Sequence, residues 1–250
     1  MPVSSIDTAS QWRRRLAGLA AVFALFHWSA LALGSDRGQA GLIVGLLVVT
    51  ATLAVERAFF GQPFARAARA VGLGAPTIRG LATSAAVCAA LLLIIPAFAM
   101  AAGESPEFLP AWLWLLPGLF AQGGIAEEVL FRGYLFGRLR RGRSFWRAAW
   151  LSMLPFVAVH LLLFFTMPWP IALAALLLAV VLSIPLAHLF ELCGNTIWAP
   201  ALLHFVIQGT VKVIVFPDSA ATSFALAWMI ASALLPLAVL LVPRRGAGIR

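Results

Sequence analysis

Apolar residues gather in eight long runs along the chain, at roughly 16–34, 40–55, 81–101, 111–137, 148–167, 170–190, 196–216 and 222–243. Each approaches the ~20 residues that a helix needs to cross the hydrocarbon core of a bilayer. No period-two alternation breaks the pattern, and open sheet edges are not tolerated in lipid. Several runs are rich in Ala, Leu and Gly, which suits close helix packing in a membrane. The pattern therefore predicts an all-α fold: a polytopic transmembrane helical bundle of about eight spans, forming a single integral membrane domain over 1–250. The polar stretch 63–71 stands apart. It puts Arg66 and Arg69 three apart, with Phe64, Ala68 and Val71 on another face. That fits either an interfacial amphipathic helix or a plain loop. No internal repeat is visible.

Composition narrows the class. Hydrophobic residues make up 62% and charged residues 11% of the 250, and mean hydropathy is +0.98. A soluble domain is about half apolar and a quarter charged, so a soluble enzyme and a disordered chain are excluded. Two cysteines, Cys88 and Cys193, cannot build a disulfide scaffold and read as small buried hydrophobes.

The net charge of +9 suggests nucleic acid until its placement is considered. Arg13, Arg14 and Arg15 precede the first run. Arg57, Arg66, Arg69 and Arg79 lie between runs two and three, and Arg138, Arg140, Arg141, Arg143 and Arg147 between runs four and five. Arg244, Arg245 and Arg250 follow run eight. All these fall on alternate connections, whereas only Arg37 falls on the others. This is positive-inside asymmetry. It predicts cytoplasmic N and C termini, an even span count, and contact with the anionic cytoplasmic leaflet rather than nucleic acid. Arg13–Arg15 and the Ala30-Leu31-Ala32 stretch also imitate a secretory signal, but the apolar stretch is too long for one and is expected to remain as a span.

Run four carries Glu127, Glu128 and Arg132. A central charge costs roughly 2.5–3.5 kcal/mol on insertion scales, while each Leu or Phe returns about 0.5. Lipid exposure does not balance, so these groups must face the bundle interior. Glu128 and Arg132, at i and i+4, can neutralise each other. Glu127 lies about 100° around an α-helix from Glu128 and has no cation one turn on, which leaves it as a free acid. Gly123 and Gly124 leave room for another helix or a substrate. His160 in run five follows Phe156 by four residues, and His204 in run seven precedes Gln208 by four. At 1.5 Å per residue, Glu127, His160 and His204 lie about 12–18 Å from the cytoplasmic ends of their runs. They converge if runs four, five and seven are neighbours.

Other polar residues have plainer expectations. His188 and Glu191 should reach water at the end of run six, Lys212 should snorkel at the outer end of run seven, and His27 should hydrogen-bond across helices.

A glutamate and a histidine at one water-accessible depth can activate water. A second histidine and an amide can stabilise an oxyanion. This outlines a hydrolase without a covalent intermediate. No G-x-S-x-G elbow supports a serine nucleophile. Glu127, His160 and His204 also match a catalytic zinc set, although no H-E-x-x-H occurs. Metal-free chemistry is favoured, and zinc stays open.

These residues carry a resemblance. Glu127-Glu128-Val129-Leu130-Phe131-Arg132 resembles the E-E-x-x-x-R motif of the CPBP intramembrane protease family, which includes the type II CAAX prenyl endopeptidases and bacterial Abi proteins. Phe156-Val157-Ala158-Val159-His160 is similar to its F-x-x-x-H motif, and Gly194 to His204 resembles the approach to its H-x-x-x-N motif. The similarity spans about 70–216. It implies an intramembrane endopeptidase acting near the membrane or near the C-terminus of a protein or peptide substrate. It implies Glu127 as general base assisted by His160, His204 at the oxyanion, and Glu128, Arg132 and Phe156 as support. Gln208 stands where the family usually has Asn, which leaves its amide role in question. The alternative is a non-catalytic membrane immunity or scaffold protein on the same fold. A proton-coupled transporter ranks third, because no internal repeat accompanies the buried acids. The Arg/Ala/Leu-rich composition and the lack of a targeting extension lead to the expectation of a bacterial inner membrane.

Overall fold

A computed structural model describes residues 9–33 and 37–244. Arg245, Arg250 and both chain termini, on which part of the expected orientation rests, lie outside the described residues. The elements run α1 (Ala9–Ala32), α2 (Gln39–Phe60), α3 (Phe64–Ala70), α4 (Ile78–Leu92), α5 (Ile94–Ala102) and α6 (Trp112–Leu119). Two π-helical stretches follow, Phe120–Ala126 and Val129–Phe136, then α7 (Gly137–Leu139), α8 (Phe145–His160), α9 (Trp169–Leu192), α10 (Trp198–Thr210) and α11 (Asp218–Leu234). The 3₁₀ turns Leu161–Phe165 and Leu235–Leu241 extend α8 and α11. Each apolar run thus becomes a helical segment, some of them subdivided. Run three splits at Leu93 into α4 and α5, where Pro96 cannot supply the N–H that the Leu92 carbonyl would take.

Among the described residues, six segments are long and apolar enough to cross a membrane: Gln11–Ala32, Gln39–Phe60, Ile78–Ala102, Phe145–Phe165, Trp169–Leu192 and Asp218–Leu241. The other two apolar runs carry most of the candidate site residues, the exceptions being Phe156 and His160 on α8. The segment from α6 to α7 bears Glu127, Glu128, Arg132 and Arg138, and every residue from Val129 to Phe136 is buried. Helix α10 has 13 residues, about 20 Å of rise against a core about 30 Å thick. Most of its residues are buried as well. Neither segment could face lipid at low cost; both are sheathed by the apolar helices. The protein is a multi-pass helical membrane protein with a polar interior.

Helix α10 is held from several sides. Ser84 of α4 donates to the Ala199 carbonyl (2.7 Å), Trp228 of α11 donates to the Ile207 carbonyl (2.9 Å), and Trp198 donates to the Gly74 carbonyl (2.8 Å). Helix α2 packs on α6 and the first π stretch at backbone distance. A Cβ on Gly41 would lie 2.5 Å from the Gly118 carbonyl oxygen, and one on Gly45 would lie 2.8 Å from Ala121. A small-x-x-x-small stripe allows this approach.

Several local expectations are corrected. A two-residue antiparallel ladder pairs β1 (Glu107–Phe108) with β2 (Ile214–Val215), Glu107 opposite Val215; it is too short to show alternation. Stretch 63–71 does form a helix, α3, but its packed residues are Ala67 and Val71, while Phe64 is exposed. His27 makes ring contacts with Phe23 and Trp28 on its own helix, and among the described residues no cross-helix hydrogen bond accompanies them. His188 is buried rather than reaching water, bonded to the Val242 carbonyl at 2.9 Å. Glu191 is likewise committed, to Arg140 and Arg244. Arg138, counted with the cytoplasmic cations, is buried and grips Glu56 of α2 through two bonds, one of them 2.8 Å.

Candidate active site

The first π stretch ends at Ala126 and the second begins at Val129, so Glu127 and Glu128 sit between two widened turns. π-Bulges recur at functional sites because they re-aim side chains within a continuous helix. Both residues keep α-helical backbone angles, and one imidazole reaches both carboxylates. His204 Nδ1 lies 2.8 Å from Glu128 Oε1, and its Nε2 lies 3.7 Å from Glu127 Oε2.

Glu128 is fully buried and its Oε1 also accepts from Arg132 Nη1 at 3.0 Å. The expected ion pair forms, and His204 joins it as a third member that spacing did not reveal. The Arg132 guanidinium lies 4.1 Å above the Phe156 ring. Phe156 also packs against the rings of His160 (4.8 Å) and His204 (6.3 Å). It therefore joins the arginine to both histidines.

A carboxylate or carbonyl only accepts, so the partners fix the ring tautomers. His204 Nδ1 donates to Glu128. His160 Nδ1 donates to the Phe156 carbonyl at 2.7 Å. Each neutral imidazole thus keeps an unprotonated Nε2. His160 lies within electrostatic reach of Glu127 and His204. The Glu127 side chain is 18% exposed, against 0% for Glu128, so the acid without a cationic partner is also the one open to a small molecule.

Gly123 and Gly124 make room for α10 rather than for a substrate. A Cβ on Gly124 would lie 2.9 Å from the Ala201 carbonyl oxygen. A Cβ on Gly123 would lie 2.0 Å from Gln208 Nε2. That amide nitrogen is buried and has no hydrogen-bond partner among the described residues. Its orientation is set from the other end, where Lys212 Nζ donates to Gln208 Oε1 at 2.9 Å. Lys212 also lies within electrostatic reach of Glu127. Lys212 is the residue that sequence reasoning missed. Its signal was the continuation of one helical face, His204, Gln208 and Lys212 at successive intervals of four.

Two imidazole nitrogens and a carboxylate are the right donor types for zinc. Among the described residues, however, no three His, Cys, Asp or Glu side chains stand close enough together to hold a metal ion as they are placed.

The interior of this multi-pass helical membrane protein thus holds an acid, two histidines and an orphaned amide. Comparison with known families narrows the reading. Residues 108–210 match the family model "Type II CAAX prenyl endopeptidase Rce1-like", so over this segment the CPBP family resemblance is shown. The match lies within the 70–216 expected from the motifs and contains all three of them, while Lys212 falls just beyond it. No curated protein and no solved structure matches the chain.

Proposed function

We propose that the protein is an intramembrane endopeptidase that hydrolyses a peptide bond by glutamate- and histidine-activated water. The observation that supports this best is the meeting of Glu127 with His204 at 3.7 Å, within electrostatic reach of His160 and inside the segment that matches a protease family. Glu127 takes a proton from water as the water oxygen bonds to the substrate carbonyl carbon, with His160 Nε2 sharing that proton. The carbonyl oxygen gains the negative charge. Gln208 Nε2 donates to it, and so does His204 Nε2 once it has received the water's proton from Glu127, 3.7 Å away. Collapse breaks the C–N bond, and the proton passes to the leaving amine. Glu128 and Arg132 hold His204 in place, and Lys212 holds the Gln208 amide.

The departure at Gln208 is thereby accommodated. Gln is one methylene longer than the family's Asn, and Gly123 supplies the space for its nitrogen. The same departure also favours the second reading, an immunity or scaffold protein that keeps the fold without cleaving.

The topology belongs to the proposal too. Eight spans with both termini cytoplasmic, in a bacterial inner membrane with its anionic leaflet on the basic side, agree with the charge asymmetry. A protein or peptide substrate would enter beside Glu127.

The deciding experiment is terminal peptide profiling of membranes from host cells carrying wild type or Glu127→Gln at matched expression. New C-terminal or membrane-proximal ends that vanish in the variant are expected. Identical profiles, with both proteins folded, would transfer the assignment to the scaffold. Metal dependence is read separately on purified protein. Cleavage that survives metal stripping, with metal content measured, supports glutamate chemistry. Loss that zinc restores assigns zinc to Glu127, His160 and His204.

A further inference from the structure

A second concentration of charge lies away from this site. A cavity of about 300 Å³ opens where α2 and α3 meet the segment leading out of α7, lined by Glu56, Gln62, Arg66, Arg69, Ala70, Arg138 and Arg141. Its volume is at the lower end of small-ligand pockets. Four of its seven lining residues are arginines and one is acidic. The single acid, Glu56, is fully buried and bonded through both oxygens to Arg138. This pair closes the inner wall and cancels its own charge. Arg66, Arg69 and Arg141 then make no ion pair or side-chain hydrogen bond with an acid among the described residues. Arg15, itself buried, adds to the crowding. Desolvation first, and then repulsion from Arg138 and Arg15, outweigh the attraction of Glu56 and pull the Arg141 guanidinium below its ordinary value.

We propose that this cavity is a binding site for a phosphate-type anion held by Arg66, Arg69 and Arg141. Guanidinium groups offer paired N–H donors that match phosphate oxygens, and charge-assisted bonds of this kind are roughly twice as strong as neutral ones. Three cations line one cavity with a neutralised acid behind them, so the cavity carries net positive charge that an anion would balance. Either a phospholipid headgroup or a free phosphate has the required chemistry. Phe64, 68% exposed and two residues before Arg66 on the same helix, offers an apolar side chain to the acyl part of a lipid bound there. The inference is independent of peptide cleavage.

The test uses the full-length protein. In nanodiscs of mixed phosphatidylcholine and phosphatidylglycerol, native mass spectrometry should show phosphatidylglycerol retained by wild type. Retention should fall about tenfold or more in Arg66→Gln/Arg69→Gln/Arg141→Gln, on the scale of a few charge-assisted bonds. The control Arg13→Gln/Arg57→Gln/Arg147→Gln removes the same charge from exposed arginines outside the cavity and should retain the lipid as wild type does. If delipidated wild type is instead stabilised by inorganic phosphate, and the cavity variant is not, the ligand is a soluble phosphate. The single variants Arg66→Gln and Arg141→Gln, both at exposed positions, provide the same comparison should the triple variant fail to fold. Equal binding by wild type and cavity variants, equal loss in the control, or no binding of either probe overturns the site.

Discussion

Replacing Glu128 by Ala separates the supporting role from the reacting one. The Arg132 side chain is 4% exposed, and its ion-pair partner is Glu128, at 3.0 Å. His204 loses its 2.8 Å acceptor in the same step. Breaking a buried pair by removing one partner costs about 3–5 kcal/mol, because a desolvated charge is left behind. The Phe156 ring, 4.1 Å away, returns at most about 2 kcal/mol as a cation–π contact, and that contact exists already in wild type. Thermal unfolding in detergent should therefore fall by roughly 6–20 °C, at about 2–4 °C per kcal/mol for a chain near this size. Glu127→Ala should shift unfolding by under about 1 kcal/mol, because its nearest ionic contact is only the 3.7 Å approach to His204. A second replacement supplies the internal check. Glu128→Ala/Arg132→Met removes the stranded charge and should recover most of the loss, since apolar replacement of a buried pair is often neutral. A Glu128→Ala protein as stable as wild type, or a double variant no better than the single one, would refute the assignment of Glu128 and Arg132 to support.

Three further outcomes follow from the same geometry. Gly123→Ala places a methyl 2.0 Å from Gln208 Nε2; it should turn that flexible amide aside and lower cleavage about 10²-fold while unfolding stays close to wild type. Lys212→Met frees Gln208 Oε1 and should lower kcat more than KM, with Lys212→Arg recovering part of the rate; an unchanged kcat would remove Lys212 from the site. Glu56→Ala leaves Arg138 buried without its anion and should cost about 3–5 kcal/mol in unfolding, while cleavage by the surviving folded fraction is unchanged.

The helical segments were legible because crossing lipid demands long apolar runs, and the intervals from Glu127 to Arg132, Phe156 to His160 and His204 to Gln208 marked the site residues. The ion pair of Glu128 with Arg132 was legible for the same reason, since i, i+4 contacts are local. Polar pairs between distant segments were not. Nothing local links Glu56 to Arg138, 82 positions apart, or Glu128 to His204, 76 apart, and Arg138 accordingly passed for an exposed cytoplasmic cation.

By itself, the sequence determined that this chain is a helical membrane protein and which few polar side chains had to be hidden inside it. The cost of a charge in lipid and the local geometry of a helix settle those points residue by residue. Helix packing determines which helices enclose the polar ones, that one imidazole meets both Glu127 and Glu128, and that Lys212 orients the Gln208 amide beside Gly123. Those outcomes depend on how separate helices pack against one another, and the spacing along any one helix does not contain them.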